Sequence, residues 1–278
     1  MPEDFQLFTS LRYDSGLQDV PKRCLTITGW NAEMASPFYM LDLHRDRMLR
    51  AATHWNWTPA IETISGSAGL RGLNEAIESF LAQYGKASAL RVKVLLNSEG
   101  SLGCEASSVP AVPLENLFPG RLPPPGSTQQ AGDPSEGSPV EVVIDKTETP
   151  QSEYTHYKTT KRAMYDTARD RESIAPTDRK EVLLVNSKDG NIMEGSLTTP
   201  FFWRNDRWVT PPVSVKYSPG NGSGGQDGTT RRWALERHLA VEEEVKADSV
   251  VDGEPCWISN GVRGFTFGKV QLNSTKKV

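Results

Sequence analysis

The sequence has 278 residues, with 31 lysines and arginines against 35 aspartates and glutamates, which gives a net charge of −4. This balance offers no basic surface for nucleic acid, and no apolar run approaches the roughly 18–20 residues that cross a membrane. Three widely spaced cysteines without a CxxC pair, and an acidic N-terminus without an apolar targeting segment, predict a cytoplasmic protein with reduced thiols and neither a disulfide framework nor a metal site.

The first hundred residues mix strands with helices. A strand is predicted at 5–14, and two helices follow at about 42–55 and 70–84, where apolar residues recur at helical spacing. Residues 90–107 predict a β-hairpin, because two apolar runs flank a short polar turn. We expect residues 1–107 to form a smaller N-terminal α/β domain.

The composition changes over residues 108–140, which are dense in proline, glycine and serine. This composition predicts a partly extended linker. A strand at 140–145 then opens the larger C-terminal domain, which we place at 141–278. Because strands and helices are intermixed without a strict βαβ rhythm, the predicted fold class is α+β.

The second domain also alternates between the two kinds of element. A helix is predicted over 158–172 and a strand over 180–186, which turns at Asp189-Gly190 into a hairpin. Three further features are predicted beyond it: a hairpin turning at Asn205-Asp206, a helix that begins near Thr229, and two strands joined by Asn260-Gly261. The Gly- and Ser-rich stretch 213–225 predicts a mobile lid or a disordered loop.

A small set of polar residues suits one cofactor. Lys158 in HYKTTKR offers an amine for a carbonyl group, and Glu194 in NIMEGSLTT offers a carboxylate for a protonated ring nitrogen. The turn Gly228-Thr229-Thr230 opens a helix, whose first N–H groups favour phosphate, and an upstream arginine would add a charged fork. Each feature alone is common, but together they indicate pyridoxal 5′-phosphate (PLP), a phosphorylated aldehyde.

The motifs around these residues resemble a known family. HYKTTKR, MEGSLTT, TPP, GTTRR and SNGVRG occur in the order and spacing of fold-type IV PLP enzymes, which include branched-chain and D-amino acid aminotransferases and aminodeoxychorismate lyase. The phrases FTSLRYD, HRDRMLRAA and YKTTKRAMYDTAR are most similar to the fungal aminodeoxychorismate lyases. The resemblance covers about residues 5–270. It implies a two-domain D-amino acid aminotransferase-like fold, bound PLP and a homodimer.

The resemblance also implies roles for single residues. Lys158 would form the Schiff base with the cofactor and then act as general base, while Lys161, its rival, stands where many relatives carry asparagine. Glu194 would face the pyridine nitrogen. One position departs from the family, because Thr199 stands where relatives often have asparagine in EGSxxN, which leaves the hydrogen bonding of that strand open.

The cofactor phosphate has its own predicted partners. By resemblance, Arg47 in HRDRM would supply the charge. The remaining predicted phosphate contacts are small residues from two turns: Gly228, Thr229, Thr230, Ser259 and Asn260. The alternatives are an ordinary helix cap at Gly228 and a plain Asn-Gly turn at Asn260.

The implied reaction is the conversion of 4-amino-4-deoxychorismate to 4-aminobenzoate and pyruvate, a step of folate biosynthesis. The substrate carries two carboxylates, and four residues are candidate contacts: Arg263, which is the first choice, Arg91, Arg12 and His156. Structural ion pairs would also explain these residues. Two other functions remain open: a class IV aminotransferase acting on a D-amino acid, a branched-chain amino acid or an amine, and a non-catalytic binding protein with the same fold.

Overall fold

The computed structural model describes residues 4–23, 28–84, 89–127, 133 and 138–272. The chain divides into two compact units. Unit 1 contains residues 1–112 and 157–161, and unit 2 contains residues 113–156 and 162–278. Both units mix strands with helices, which confirms the α+β prediction.

Unit 1 is built on a three-stranded antiparallel sheet in the order β1-β2-β3. Its strands are β1 (Leu7–Asp14), β2 (Ala89–Leu96) and β3 (Leu102–Ser108). From Val92 to Leu96, every second residue of β2 is buried, as the alternation of a half-buried strand requires. The predicted strand at 5–14 and the predicted hairpin at 90–107 are therefore confirmed.

Four α-helices accompany this sheet: α1 (Trp30–Glu33), α2 (Leu41–His54), α3 (Thr58–Ile64) and α4 (Gly66–Leu81). Short 3-10 helices cover Ser15–Arg23 and Ala82–Tyr84. The helices α2 and α4 confirm the two predicted from spacing. Helix α3 was not predicted, although Pro59 stands in its first turn, where proline is well tolerated.

Unit 2 is built on an eight-stranded mixed sheet in the order β6-β5-β4-β11-β10-β7-β8-β9. Its strands are β4 (Val140–Ile144), β5 (Lys180–Val185), β6 (Ile192–Gly195), β7 (Thr199–Arg204), β8 (Arg207–Thr210), β9 (Val241–Glu242), β10 (Pro255–Asn260) and β11 (Gly264–Val270). Its helices are α5 (Leu114–Leu117), α6 (Glu153–His156), α7 (Ala163–Arg171) and α8 (Thr229–Glu236), with a 3-10 turn at Ala247–Ser249.

Strand β5 is buried on both faces. Val182 and Leu184 pack in the cluster that contains Tyr165 of α7. Leu183 and Val185 pack in a second cluster formed by other strands of the sheet. A strand covered on both sides carries a continuous apolar run, which accounts for the VLLV sequence.

The predicted helix over 158–172 is wrong at its start, because α7 begins only at Ala163. The backbone before it is bonded to the edge of β1 instead. Phe8 N donates to Lys158 O at 3.1 Å, and Thr160 N donates to Gln6 O at 2.9 Å. These bonds hold Lys158 in an extended segment of unit 1, whereas the predicted division had placed it in the C-terminal domain.

The predicted linker at 108–140 also differs from the structure. Residues 113–127 belong to unit 2, where Leu117, Phe118 and Leu122 are buried. Leu122 O accepts a hydrogen bond from Trp208 Nε1 at 2.8 Å. Part of the predicted linker, residues 128–132 and 134–137, lies outside the described residues.

The C-terminal end of the stretch 213–225 is hydrogen-bonded to other residues of unit 2. Ser223 is buried, and its N–H donates to Pro212 O at 2.7 Å. Asn186 Nδ2 donates to Ser223 O at 3.0 Å, and Gln151 Nε2 donates to Asn221 O at 2.9 Å. This end of the stretch is therefore bonded in place.

In the described part of the chain, no helix combines the length and apolar character needed to traverse a bilayer.

Replacing Gly264 with alanine should destabilise unit 2 strongly. Gly264 has φ +66°, and a Cβ there would lie 2.2 Å from the carbonyl oxygen of Asn116. We expect the free energy of unfolding to fall by about 3 kcal/mol or more, from left-handed strain and overpacking together. The control is Gly126→Ala, where φ is +74° and no atom lies within 4 Å, so only the strain of about 1 kcal/mol applies. Equal losses in denaturant unfolding would contradict the steric explanation.

Candidate active site

Lys158 lies beside the first strand of unit 1. Its backbone carbonyl accepts the Phe8 N–H bond, and its ammonium nitrogen lies 5.0 Å from the centroid of the Phe8 ring. The side chain is half-buried. An ammonium group held over an aromatic ring gains cation–π attraction while keeping access to an incoming group.

Arg47, the predicted phosphate partner, is bonded to a buried polar pair in the same unit. Its Nε donates to Thr9 Oγ1 at 2.8 Å, and its Nη2 contacts Thr9 Oγ1 as well. Thr9 Oγ1 also bonds His44 Nδ1 at 2.6 Å, and His44 Nδ1 lies 3.3 Å from Arg47 Nη2. Thr9 and His44 are fully buried, so they fix the position from which the Arg47 guanidinium projects.

The imidazole of His44 is held neutral by its surroundings. Burial lowers the pKa of His44 well below its ordinary value, and the positive charges of Arg47 and then Lys158 lower it further. A neutral imidazole can accept a hydrogen bond at Nδ1 from the Thr9 hydroxyl. Residues His44 and Thr9 were not among the predicted site residues, although His44 stands one helical turn before Arg47.

A cationic strand face lies around the same Phe8 ring. In the register of β1 and β2, Ser10 pairs with Lys93 and Arg12 with Arg91, so these side chains share one face of the sheet. The Lys93 ammonium lies 5.5 Å from the Phe8 ring centroid. It also forms a 3.2 Å ion pair with Glu105. Arg91 Nη2 donates to Ser10 Oγ at 3.3 Å.

Arg12, a predicted substrate contact, is bonded within unit 1. Its side chain is fully buried and forms an ion pair with Asp14, with 2.8 Å between Nη2 and Oδ2. Both Nη atoms also donate to Pro110 O at 3.1 Å. The anion that Arg12 binds is therefore an aspartate of its own unit, and the contacts are those of a structural ion pair.

Glu194 is buried in unit 2, on strand β6. Tyr165 Oη donates to its Oε1 at 2.5 Å. Gln226 Nε2 donates to the same phenol oxygen at 3.1 Å, and Thr155 O lies 3.2 Å from it. Burial and the adjacent Glu194 carboxylate raise the pKa of Tyr165 well above its ordinary value, so the phenol keeps its proton.

A second buried carboxylate shapes the turn that follows Glu194. Glu181 accepts bonds from Ser196 N at 3.0 Å, Ser196 Oγ at 2.6 Å and Thr198 Oγ1 at 2.8 Å. It also accepts bonds from Leu197 N and Val182 N. The hydrogen bonding of the EGSLTT segment, left open by the departure at Thr199, is thus supplied by Glu181.

The predicted phosphate turn meets strand β10 within unit 2. Helix α8 begins at Thr229, with Gly228 as its N-cap, and Thr230 Oγ1 bonds Ser259 Oγ at 2.7 Å. Thr229, Thr230 and Ser259 are buried. A Cβ at Gly228 would lie 2.9 Å from Thr199 Oγ1, so a side chain there would crowd the turn. The first N–H groups of a helix have no acceptor within it, and with these hydroxyls they suit an anion.

Three further predicted residues also lie in unit 2: Asn260, Arg263 and His156. Asn260 Oδ1 accepts bonds from Val262 N at 3.0 Å and Arg263 N at 2.9 Å, so the side chain caps its own turn. The Arg263 side chain is exposed. His156 is buried, with its ring 5.9 Å from that of Tyr217.

The sequence and the fold together define the family. The model of the class IV aminotransferases matches residues 26–269, and this chain belongs to that family. Among curated proteins, it is 31% identical over 143 residues to the aminodeoxychorismate lyase of Saccharomyces cerevisiae, an alignment that covers 47% of this chain and 37% of that protein. It is 29% identical over 146 residues to a protein of Schizosaccharomyces pombe provisionally named as the same enzyme, with 51% and 59% covered. The alignments thus span less than two thirds of either relative.

Solved structures show the same fold. A provisionally named amino-acid aminotransferase from Mesorhizobium loti superimposes with a TM-score of 0.65 at 20% identity, covering 96% of this chain and all of that one. A hypothetical aminotransferase from Mycobacterium tuberculosis, in its PLP-bound form, gives 0.57 at 13% identity, with 96% and 81% covered. The predicted fold type IV is therefore confirmed.

Enzymes of this family use PLP, and the residues present here fit it. The hydroxyls of Thr229, Thr230 and Ser259 at the start of α8 suit the phosphate. The buried Glu194 carboxylate suits a protonated pyridine nitrogen. The ammonium of Lys158 suits the aldehyde.

The buried neutral His44 should make stability depend on pH. Its pKa is lowered on folding, so below about pH 6.5 the unfolded chain binds a proton that the folded chain resists, and stability falls as the pH falls. We expect His44 to contribute a slope of up to about 1.4 kcal/mol per pH unit between pH 6.5 and 5.5. His44→Asn should remove that slope, whatever it does to stability at pH 7.5.

The matched control is His238→Asn, because His238 is exposed. Denaturant unfolding of cofactor-free protein at each pH gives the slopes. If His44→Asn keeps the wild-type slope, or if His238→Asn loses as much of it, the assignment to His44 is wrong.

Proposed function

We propose that this protein is a PLP-dependent 4-amino-4-deoxychorismate lyase that forms 4-aminobenzoate and pyruvate. The observation that carries the proposal is the gathering of Lys158, Lys93 and Arg91 around one strand face of unit 1. An amine beside two further cations suits a substrate with two carboxylates. The names of the two fungal relatives support the same reaction.

Bound PLP would supply an aldehyde that captures amines and a ring that accepts electrons. Lys158 would hold that aldehyde until the amino group of the substrate displaces it. The freed amine of Lys158 would then remove the proton from the amine-bearing ring carbon. Glu194 would hold the proton on the ring nitrogen. Arg47 and the hydroxyls of Thr229, Thr230 and Ser259 would bind the phosphate.

The substrate carboxylates would bind the cationic strand face. Arg91 offers a planar fork that matches a carboxylate. Lys93 forms a partly exposed ion pair with Glu105, and exposed pairs of this kind contribute roughly 0–1 kcal/mol, so a substrate carboxylate can replace Glu105 at little cost. Arg263 and His156 remain candidate contacts, with the exposed Arg263 the more accessible of the two.

After the proton is removed, the enolpyruvyl group leaves from the adjacent carbon and the ring becomes aromatic. Aromatisation makes this elimination strongly favourable, so the protein mainly needs a bound cofactor, a base and carboxylate recognition. We further infer a homodimer, as the family resemblance implies, located in the cytoplasm, as the cysteine pattern indicates. Sedimentation equilibrium should then give twice the 30.7 kDa chain mass, and a monomer mass would refute the homodimer.

A class IV aminotransferase is the second candidate, because the matching family model carries that name and the M. loti structure of the same fold is provisionally named an amino-acid aminotransferase. The same lysine, glutamate and phosphate residues would serve it. The two functions differ in their product: a lyase releases pyruvate from aminodeoxychorismate without a keto acid, whereas an aminotransferase requires one.

Replacing Lys158 should abolish the reaction. We expect wild-type protein with PLP to release pyruvate and 4-aminobenzoate from aminodeoxychorismate, and Lys158→Ala to lower kcat by at least about a thousandfold, since it loses both the cofactor link and the base. Coupled detection of pyruvate gives the rates.

The matched control is Lys161→Ala. Lys161 forms a 2.6 Å ion pair with Asp4, and its ammonium lies 5.2 Å from the Phe5 ring centroid. It should keep activity within about threefold, as expected for loss of a surface ion pair. If wild type releases no pyruvate but transfers amino groups to a keto acid, the aminotransferase is correct; activity in neither assay would refute both.

A further inference from the structure

We propose that Tyr165 and Gln226 are positioning residues that hold Glu194 aligned and ionised for the ring nitrogen of the cofactor. The proposal rests on the PLP site of the proposed function. All three side chains lie in unit 2, and the phenol oxygen of Tyr165 is the atom that links them.

The direction of each hydrogen bond follows from the donor groups. The amide nitrogen of Gln226 can only donate, so the phenol oxygen accepts from it at 3.1 Å. The single phenol proton then points to the nearest acceptor, Glu194 Oε1 at 2.5 Å, rather than to Thr155 O at 3.2 Å. Gln226 thereby selects the orientation in which Tyr165 donates to the carboxylate.

Burial gives this orientation its effect. Tyr165 is 2% exposed and Glu194 is 7% exposed, so water does not compete strongly for either group. A hydrogen bond donated to a buried carboxylate stabilises its charged form. The charged form is the one that keeps a pyridine nitrogen protonated and the ring electron-accepting.

Two elements place the donors against strand β6. Tyr165 stands in the first turn of α7, seven residues after Lys158, and packs in the cluster that also holds Met193. Gln226 follows Gly225, where a Cβ would lie 2.6 Å from Met193 O and 3.1 Å from Glu194 Cβ. The chain can approach β6 this closely only without a side chain at 225, and the approach delivers Gln226 to the phenol.

The test is a double-mutant cycle of Tyr165→Phe with Glu194→Gln, read as the dissociation constant of PLP and the absorbance maximum of the lysine-bound cofactor. Tyr165→Phe keeps the ring and removes the donor. We expect PLP affinity to fall about tenfold and the absorbance maximum to shift, because a hydrogen bond to a charged group is lost. In the Glu194→Gln background the same change should have almost no effect, since Tyr165 acts through the carboxylate.

Two further variants sharpen the result. Gln226→Leu should shift the PLP dissociation constant and the absorbance maximum in the same direction by a smaller factor. It provides the test of the inference if Tyr165→Phe fails to fold. The matched control is Tyr84→Phe, an exposed tyrosine of unit 1, which should behave as wild type.

Each outcome bears on the inference. Wild-type affinity and absorbance in Tyr165→Phe would overturn it, and so would an equal loss in the Glu194→Gln background, which marks a purely structural role. Failure of the wild-type protein to bind PLP would instead refute the proposed function, and the inference with it, before any variant is compared.

Discussion

The burial of two carboxylates on neighbouring strands constrains the structure of unit 2 around its candidate site. Glu181 on β5 is 3% exposed and Glu194 on β6 is 7% exposed. A buried charge is tolerated only when donors surround it. Glu181 collects its donors from the turn at residues 196–198, and Glu194 takes one from Tyr165. The C-terminal end of β6, the entry to β7 and the first turn of α7 are therefore fixed by hydrogen bonds to charge as well as by apolar packing.

Lys158 is held in place by backbone hydrogen bonds. Lys158 belongs to unit 1 by its contacts, although the residues before 157 and after 161 belong to unit 2. The backbone bonds of Phe8 and Thr160 hold the segment along β1, so the same strand that carries Thr9 for Arg47 also supports Lys158. A single strand thus orders the amine and the predicted phosphate arginine within one unit.

Much of this fold follows from local patterns in the sequence. Residues 5–14 were predicted as a strand, apolar runs around a polar turn predicted β2 and β3, and helical spacing predicted α2. The hairpin turn predicted at Asn205-Asp206 is present, and both residues adopt the positive φ, 51° and 60°, that a tight hairpin turn requires. The start of α7 was not predictable locally, because residues 158–160 pair with the chain at residues 6–8, about 150 residues earlier. The linker prediction failed over 113–127 for a similar reason: proline density masked Leu117 and Leu122, whose burial depends on distant partners such as Trp208.

The candidate site likewise contains residues that the sequence predicted and residues that it did not. Lys158, Glu194 and the threonines of α8 stand in recognisable motifs, so resemblance was enough to propose them. Thr9, His44 and Tyr165 stand within phrases that resemble the family, yet neither they nor Gln226 were assigned a role, since each acts through a partner between 3 and 61 residues away. Arg12 was proposed as a substrate contact from its charge, and the structure shows it buried in an ion pair with Asp14, two residues along the strand.

Under the proposed function, the residues that would distinguish a lyase from an aminotransferase lie in unit 1. The residues that suit the phosphate and the ring nitrogen in unit 2 serve any reaction of bound PLP, because each acts on the cofactor alone. The proposed substrate would be distinguished by the cations Lys93 and Arg91 on β2. A branched-chain amino acid offers one carboxylate, which Arg91 alone could bind, whereas aminodeoxychorismate offers two. Lys93 is the residue that the second carboxylate would use, and its partly exposed pair with Glu105 leaves it available for exchange. The specificity of this enzyme would then depend on a cation pair on β2, outside the motifs that identify its cofactor.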